Sequence, residues 1–135
     1  MGNDAFQPHM LKHSLKGKIY SQISGIDIIR DGEGEFFVLE DNLRTPSGVS
    51  YMIESRNISQ KLMPELCTAN NLQGIEHYPK LLKEILQENS SADQPFIVVL
   101  TPGRFNSAYY EHAFLAREMD VPLVTNRDLF VENDQ

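Results

Sequence analysis

The sequence predicts a mixed α/β (α+β) fold, in which an antiparallel hairpin is followed by helices and a βαβ unit. Two apolar stretches flank the glycine-rich segment 31–35, which is typical of a hairpin. A helical pattern of apolar residues follows at 77–88. Near the end, the apolar runs 96–100 and 121–124 enclose a further helical segment, which indicates a βαβ unit.

The position of the turn predicts which residues of the two hairpin strands lie opposite each other. Its predicted strands, Ile26–Ile29 and Phe36–Leu39, are rich in β-branched and aromatic residues, and the intervening glycines can adopt positive φ. If the turn is centred between Glu33 and Gly34, Asp27 lies opposite Glu40. Directly opposed residues project from the same face, about 5 Å apart at Cβ.

Three oxygen-bearing side chains then converge on one face of the hairpin. Asn42 is two residues beyond Glu40, so strand periodicity places it on the same face as Glu40 and Asp27. Carboxylate and amide oxygens suit Mg²⁺, and the absence of Cys and His from the set argues against zinc or copper. The alternative is an ordinary hairpin with acidic residues facing solvent.

The loop that follows the hairpin is a candidate anion-binding segment. Arg44 lies two residues after Asn42, and Ser47 and Gly48 precede a predicted helix over 49–66. A helix N-terminus favours phosphate or carboxylate, so Arg44, Ser47 and Gly48 are candidate ligand residues. The alternative for Arg44 is a surface cation.

The remaining elements divide the chain into a lead-in segment at 1–18, a unit at 19–67 and a unit at 77–135. We expect a strand over 96–100, a helix capped by Asn106 or Ser107, a strand at 121–124 and a third at 129–131. The loop 101–107 leaves the carboxyl end of a strand, where open α/β sheets bind ligands. His112, in the helix, could act as a base, although a lone helical histidine is more often structural.

Composition limits the functional classes. The formal charge of −7 argues against nucleic-acid binding, which depends on clustered Lys and Arg. The single Cys67 excludes an intramolecular disulfide and is typical of a cytoplasmic protein. No apolar run approaches the roughly 20 residues of a membrane span, and the N-terminus lacks a signal-peptide core. We therefore expect no nucleic-acid partner and no membrane partner.

Several motifs resemble one family. They are Gly25–Asp27, Val38–Tyr51 (Val-Leu-Glu-Asp-Asn-Leu-Arg-Thr-Pro-Ser-Gly-Val-Ser-Tyr), Leu100–Gly103 and Asn106–Arg117. Together they are similar to the circularly permuted ATP-grasp proteins, which include glutathionylspermidine-synthetase-type ligases. The resemblance extends from about residue 6 to residue 129. It implies the metal-binding lobe of an ATP-grasp enzyme followed by a Rossmann-like, substrate-side βαβ subdomain.

The resemblance also implies an activity. ATP-grasp ligases use ATP and Mg²⁺ to convert a carboxylate to an acyl phosphate, which an amine then attacks. Asp27, Glu40 and Asn42 would correspond to the Mg²⁺ ligands, and Arg44 would be a catalytic residue that stabilises the transferred phosphoryl group or the acyl phosphate. Small-molecule or peptide carboxylates and amines are the implied substrates.

The family is much longer than 135 residues, so the resemblance implies a partial-length member. The part expected to cover adenine and to supply the phosphate-binding lysines lies outside this sequence. A partner chain carrying that lobe, or a homo-oligomer, is therefore a possible partner. The alternative function is a non-catalytic remnant or interaction module that keeps the fold without activity alone.

Overall fold

The computed structural model describes residues 6–15, 17 and 19–132. The chain forms two compact units, Met1–Pro46 and Ser47–Gln135. The first unit contains a 3₁₀ helix, Pro8–Lys12, and the strands β1 (Gly25–Arg30) and β2 (Phe36–Asn42). The second contains α1 (Val49–Leu62), α2 (Pro64–Ala69), α3 (Tyr78–Glu88), β3 (Val99–Leu100), α4 (Tyr109–Glu118) and β4 (Leu123–Val124).

The antiparallel hairpin is formed by β1 and β2, and it contains a bulge. Near the turn Arg30 pairs with Phe36 and Ile28 with Val38, which centres the turn on Glu33. The register then shifts by one residue at Leu39, so that Asp27 pairs with Glu40. The predicted opposition of Asp27 and Glu40 is therefore present, but a β-bulge rather than the turn alone produces it. β1 extends one residue beyond the predicted strand Ile26–Ile29 at each end, from Gly25 to Arg30.

The hairpin is exposed on both faces. Ile28 and Val38, on the face opposite Asp27, are 60% and 62% exposed, and Phe37 on the Asp27 face is 53% exposed. No described residue of the first unit is buried. Strands that are apolar on both faces are normally covered on both, and an isolated two-stranded hairpin is marginally stable in water. The hairpin sequence is thus suited to a larger sheet than the two strands described.

A proline divides the helix expected over 49–66 into two. Pro64 has no backbone N–H and disfavours the helical conformation in the residue before it. Met63 accordingly adopts φ −137° and ψ 55°, so α1 ends at Leu62 and α2 begins at Pro64. The prediction of one continuous helix is therefore wrong at this point. Because α1 contacts α4, it belongs to the second unit, and the division at residues 67 and 77 stays a prediction.

The βαβ unit is present, with shorter elements than the sequence indicated. β3 and β4 are parallel, with Val99 opposite Leu123 and Leu100 opposite Val124. The strand expected over 96–100 is reduced to these two paired residues, and no strand forms at 129–131. Neither Asn106 nor Ser107 caps α4, because its N-cap is Ala108, whose backbone N–H donates to Asn106 Oδ1 at 2.9 Å.

The hydrophobic core lies in the second unit. Its buried apolar side chains come from α1, α3 and α4 and from the C-cap residue of α4: Ile53, Leu82, Phe114, Ala116 and Met119. Phe114, on the middle of α4, is only 2% exposed, so α4 is the central helix of this unit. Among the described residues no helix combines the length and apolarity needed to cross a membrane.

Candidate functional site

The three residues proposed as metal ligands share one face of the hairpin. Asp27 and Glu40 are directly paired, and Asn42 pairs with Gly25 two positions along the same face. The Asn42 amide nitrogen donates a hydrogen bond to Glu40 Oε1 at 3.2 Å, so these two side chains meet. That bond engages the amide nitrogen and one carboxylate oxygen, and it does not use Asn42 Oδ1 or Glu40 Oε2.

The charge balance of this face fits a cation. Two opposed carboxylates repel each other across a ladder. The ion pairs of the described residues are Lys80–Glu84 and Arg117–Glu118, both in the second unit. Arg30, the cation of β1, instead donates to the Gly34 carbonyl at 3.1 Å and lies over the Phe36 ring.

The donor set is small and contains only oxygen ligands. The described residues hold no cluster of three or more His, Cys, Asp or Glu side chains, so this face offers two carboxylates and one amide. Such a set suits Mg²⁺, which keeps several waters and shares its remaining positions with phosphate oxygens. Asp27 on β1 and Glu40 and Asn42 on β2 are all exposed, which leaves the three side chains open to a ligand.

The structure gives the proposed anion ligands unequal support. Arg44 and Ser47 are exposed, and no salt bridge involves Arg44 within the part of the chain that the structure describes. Gly48 has left-handed φ of +102° and is the N-cap of α1. Its backbone N–H already donates to both carboxylate oxygens of Glu111, at 2.8 and 2.9 Å. A phosphate at this amide would have to displace that carboxylate.

Glu111 therefore occupies the helix terminus that the sequence assigned to a phosphate. Its carboxylate also accepts the Ser50 backbone N–H at 3.0 Å and the Ser50 hydroxyl at 2.7 Å. Glu111 is 6% exposed and Ser50 is fully buried. A side chain on α4 thus satisfies the unpaired amides at the start of α1, as a capping residue normally does from within its own helix.

The electrostatics of Glu111 follow from these contacts. Burial alone would raise the pKa of its carboxyl group. The hydrogen bonds from Gly48 and Ser50, aided by nearby His112, outweigh burial and hold the pKa below its usual 4.5. The Glu111 charge acts in turn on Tyr78, whose pKa is raised first by burial and then by this carboxylate. Glu111 is therefore an ionised, internal anion.

The next residue of α4 makes a second connection that the sequence did not predict. His112 Nδ1 lies 2.9 Å from Thr101 Oγ1, at the end of β3. Thr101 is 2% exposed, and its Oγ1 also accepts the Gly103 backbone N–H at 3.2 Å. Gly103 has φ of +112°, which favours glycine at this turn. Contacts between residues 11 or more apart in sequence leave no local pattern. The one signal in the sequence is that Glu111 and His112 are adjacent polar residues.

An antiparallel hairpin with opposed carboxylates, followed by a parallel βαβ unit, makes this a mixed α/β protein. Comparison with known protein families identifies the family. The chain belongs to the circularly permuted ATP-grasp type 2 family, whose profile matches residues 1–135. The resemblance drawn from the sequence motifs is thereby confirmed.

Individual relatives extend this comparison. An uncharacterised Mycobacterium tuberculosis protein is 46% identical over 115 residues, covering 84% of this chain and 21% of its own length. A Synechocystis protein is also 46% identical, over 84% of this chain and 24% of its own. A Frankia alni protein named “Putative glutamate--cysteine ligase 2-3” is 42% identical over 82% of this chain and 13% of its own. The chain thus spans less than a quarter of the length of these relatives.

Proposed function

We propose that this chain supplies the metal-binding part of an ATP-dependent carboxylate–amine ligase that acts through an acyl phosphate. The family assignment and the ligase name of a relative support the reaction class. The observation that carries the proposal is the pairing of Asp27 with Glu40, with Asn42 bonded to Glu40 on the same face. This face offers the oxygen ligands that a Mg²⁺–nucleotide complex requires.

In the proposed reaction each residue has a separate task. Asp27, Glu40 and Asn42 would hold Mg²⁺ and so orient the nucleotide. When bound, Mg²⁺ would supply neutralisation of the phosphate charge during phosphoryl transfer. Arg44, two residues after Asn42, stabilises the transferred phosphoryl group or the acyl phosphate. An amine then attacks the acyl carbon, and phosphate leaves.

The complete activity is proposed for the longer protein, not for the hairpin alone. The exposed apolar residues on both faces of β1 and β2 are consistent with this, because they would be covered in a larger sheet. Turnover should therefore require the rest of the ATP-grasp fold, in the same chain or in a partner. The 135-residue chain by itself is expected to bind metal and nucleotide more weakly and without turnover.

Calorimetric titration of Mg²⁺–ATP tests the proposal in three proteins. The wild-type chain should bind Mg²⁺–ATP. Glu40→Ala should weaken this binding by about tenfold or more, since a carboxylate ligand of the metal is lost. Asp41→Ala is the matched control, because Asp41 is adjacent, exposed and paired with Ile26 on the opposite face. Equal losses in the two variants, or binding unchanged in Glu40→Ala, would refute the proposed metal site. Binding without turnover in the full-length protein would instead favour the non-catalytic alternative.

A further inference from the structure

We propose that the contact between Gly25 and Pro46 positions Arg44 beside the metal-binding face of the hairpin. The inference rests on the proposed function, in which Arg44 stabilises the transferred phosphoryl group. Gly25 is then a positioning residue, because it acts on that step through the loop that carries Arg44. All three residues belong to the first unit.

Gly25 has no room for a side chain, and Pro46 is the reason. A Cβ added at Gly25 would lie 2.9 Å from the Pro46 Cβ. A normal carbon–carbon contact is about 3.5–4.0 Å. The φ of Gly25 lies outside the left-handed region, so its backbone conformation is open to other residues. A glycine within a strand often marks the close approach of another backbone, which here is the loop after β2.

This contact is one of few packed points in an exposed part of the chain. Across residues 25–46, all of which the structure describes, Gly25, Gly34 and Pro46 are half-buried and the others are exposed. Gly34 lies at the turn beside the Arg30 side chain, at the other end of the hairpin. The Pro46 Cβ belongs to a ring joined to the backbone, so it cannot rotate away. The loop backbone must therefore move if a group is added at Gly25.

The contact closes the loop that contains Arg44. Gly25 pairs with Asn42 across the hairpin, so the loop leaves β2 opposite the residue to which it returns. Between these points residues 43–46 form a short connection with bends at Arg44 and Thr45. Arg44 is two residues from Asn42, which keeps their Cα atoms within about 7 Å of each other. Both ends of the loop are held, which limits the positions that Arg44 can reach.

The Arg44 side chain depends on this loop for its placement. It is exposed, and among the described residues it forms no salt bridge. Ordering a free arginine on a phosphate costs side-chain entropy, and the planar guanidinium binds phosphate oxygens in a fixed geometry. A displaced loop should therefore weaken its contact with the phosphoryl group. The Cβ added at Gly25 would lie 3.5 Å from the Asn42 Cβ, an ordinary contact, so the metal ligands should stay in place.

Nuclear magnetic resonance of the isotopically labelled 135-residue chain tests the contact without metal or nucleotide. A nuclear Overhauser effect should connect the Gly25 Hα protons with the Pro46 ring protons. ¹⁵N relaxation should show that the Arg44 amide is more mobile on the picosecond to nanosecond timescale in Pro46→Gly than in wild type. Absence of the Overhauser effect, or equal mobility of Arg44 in the two proteins, would overturn the proposal.

Nucleotide titrations test the positioning role. ATP carries the transferred phosphoryl group and ADP lacks it, so the preference for Mg²⁺–ATP over Mg²⁺–ADP reports on Arg44. Arg44→Ala should reduce this preference about tenfold, since hydrogen bonds to a charged group are lost, and Gly25→Ala should reduce it by a similar factor. Gly32→Ala is the matched control, because its added Cβ would meet no atom within 4 Å. An unchanged preference in Gly25→Ala would overturn the proposal.

Double variants separate the specific contact from general damage. Pro46→Gly adds no atom to β1, and by itself it should also reduce the preference for ATP. It removes the Cβ that the Gly25→Ala methyl group would meet, so the two losses should combine to less than their sum. Gly25→Ala combined with Arg44→Ala should lose no more preference than Arg44→Ala alone. Additive losses in either double variant would contradict the positioning role.

The positioning role can fail while the proposed function stands. With Mn²⁺ in place of Mg²⁺, Gly25→Ala should retain the selective broadening of amide signals around residues 40–42, which Glu40→Ala should remove. Retained broadening with an unchanged ATP preference in Gly25→Ala would overturn this inference alone. Loss of the broadening in Gly25→Ala would assign Gly25 to the metal site and so overturn its positioning role. Absence of Mg²⁺–ATP binding in the wild-type chain would overturn both proposals.

Discussion

Replacing Glu111 by glutamine should destabilise the second unit far more than its conservative size suggests. The two carboxylate oxygens accept from the Gly48 N–H, the Ser50 N–H and the Ser50 hydroxyl. Glutamine keeps one acceptor oxygen but turns an NH₂ donor towards one or more of these donors. Because Ser50 is fully buried, water does not readily replace the lost acceptor.

The magnitude follows from the number and type of bonds lost. A hydrogen bond to a charged group contributes about 1.5–3 kcal/mol, and loss of a helix cap costs about 0.5–2 kcal/mol. Since glutamine retains one oxygen, we expect Glu111→Gln to cost about 2–3 kcal/mol of unfolding free energy. Glu111→Ala, which leaves all three donors unpaired, should cost about 3–5 kcal/mol.

Urea unfolding followed by circular dichroism measures the loss of unfolding free energy in each Glu111 variant. Glu88→Gln, on the exposed end of α3, is the control. Amide hydrogen exchange locates the effect, because Gly48 and Ser50 should lose protection before other residues of α1. A cost for Glu111→Gln no larger than that for Glu88→Gln would refute the capping role. So would unchanged protection of the Ser50 amide.

The stability difference between wild type and Glu111→Gln should depend on pH. The folded-state pKa of Glu111 lies below the unfolded value, so the ionised carboxylate stabilises the fold above the unfolded pKa. This contribution is lost as the pH falls through the lower, folded-state pKa. The stability difference between wild type and Glu111→Gln should therefore be largest near neutral pH and shrink in acid. A difference that grew as the pH fell would contradict the assignment.

Two backbone predictions accompany this one. Gly48→Ala should cost about 1–2 kcal/mol of unfolding free energy because φ is +102°, although an added Cβ would meet no atom within 4 Å. Gly32 lies in equally open space without a positive φ, so Gly32→Ala should be near neutral. Equal unfolding midpoints of the two variants would contradict this prediction. Pro64→Ala should restore a backbone N–H and allow Met63 to adopt a helical conformation, so that α1 and α2 merge. The circular-dichroism signal at 222 nm should then become more negative. An unchanged spectrum would show that another feature breaks the helix.

Local patterns predicted that Asp27 and Glu40 lie opposite each other in the hairpin. Alternation along two apolar strands was enough to oppose Asp27 and Glu40, although the turn is centred on Glu33 and a bulge at Leu39 restores the expected pairing. The two deviations compensate, so the prediction was right about the pair for an incomplete reason. A bulge depends on strand twist and on neighbouring structure, neither of which the sequence spacing reveals.

Contacts between distant segments could not be predicted in this way. Gly48 and Glu111 are 63 residues apart, so the helix terminus looked available to phosphate until the fold supplied an internal carboxylate. Asn106 looked like a cap for α4, but its side chain bonds to the Ala108 amide in the preceding turn. Tertiary structure decided the partner of the Gly48 amide, whereas a local turn decided the partner of the Asn106 side chain.

Paramagnetic relaxation by Mn²⁺, used in place of Mg²⁺, most directly tests the central claim that Asp27, Glu40 and Asn42 bind a metal. In the wild-type chain, substoichiometric Mn²⁺ with ATP should broaden the backbone amide signals around residues 25–27 and 40–42 before all others. Glu40→Ala should remove this selective broadening, and Asp41→Ala should retain it. Broadening centred elsewhere, or equally strong in Glu40→Ala, would contradict the hairpin metal site.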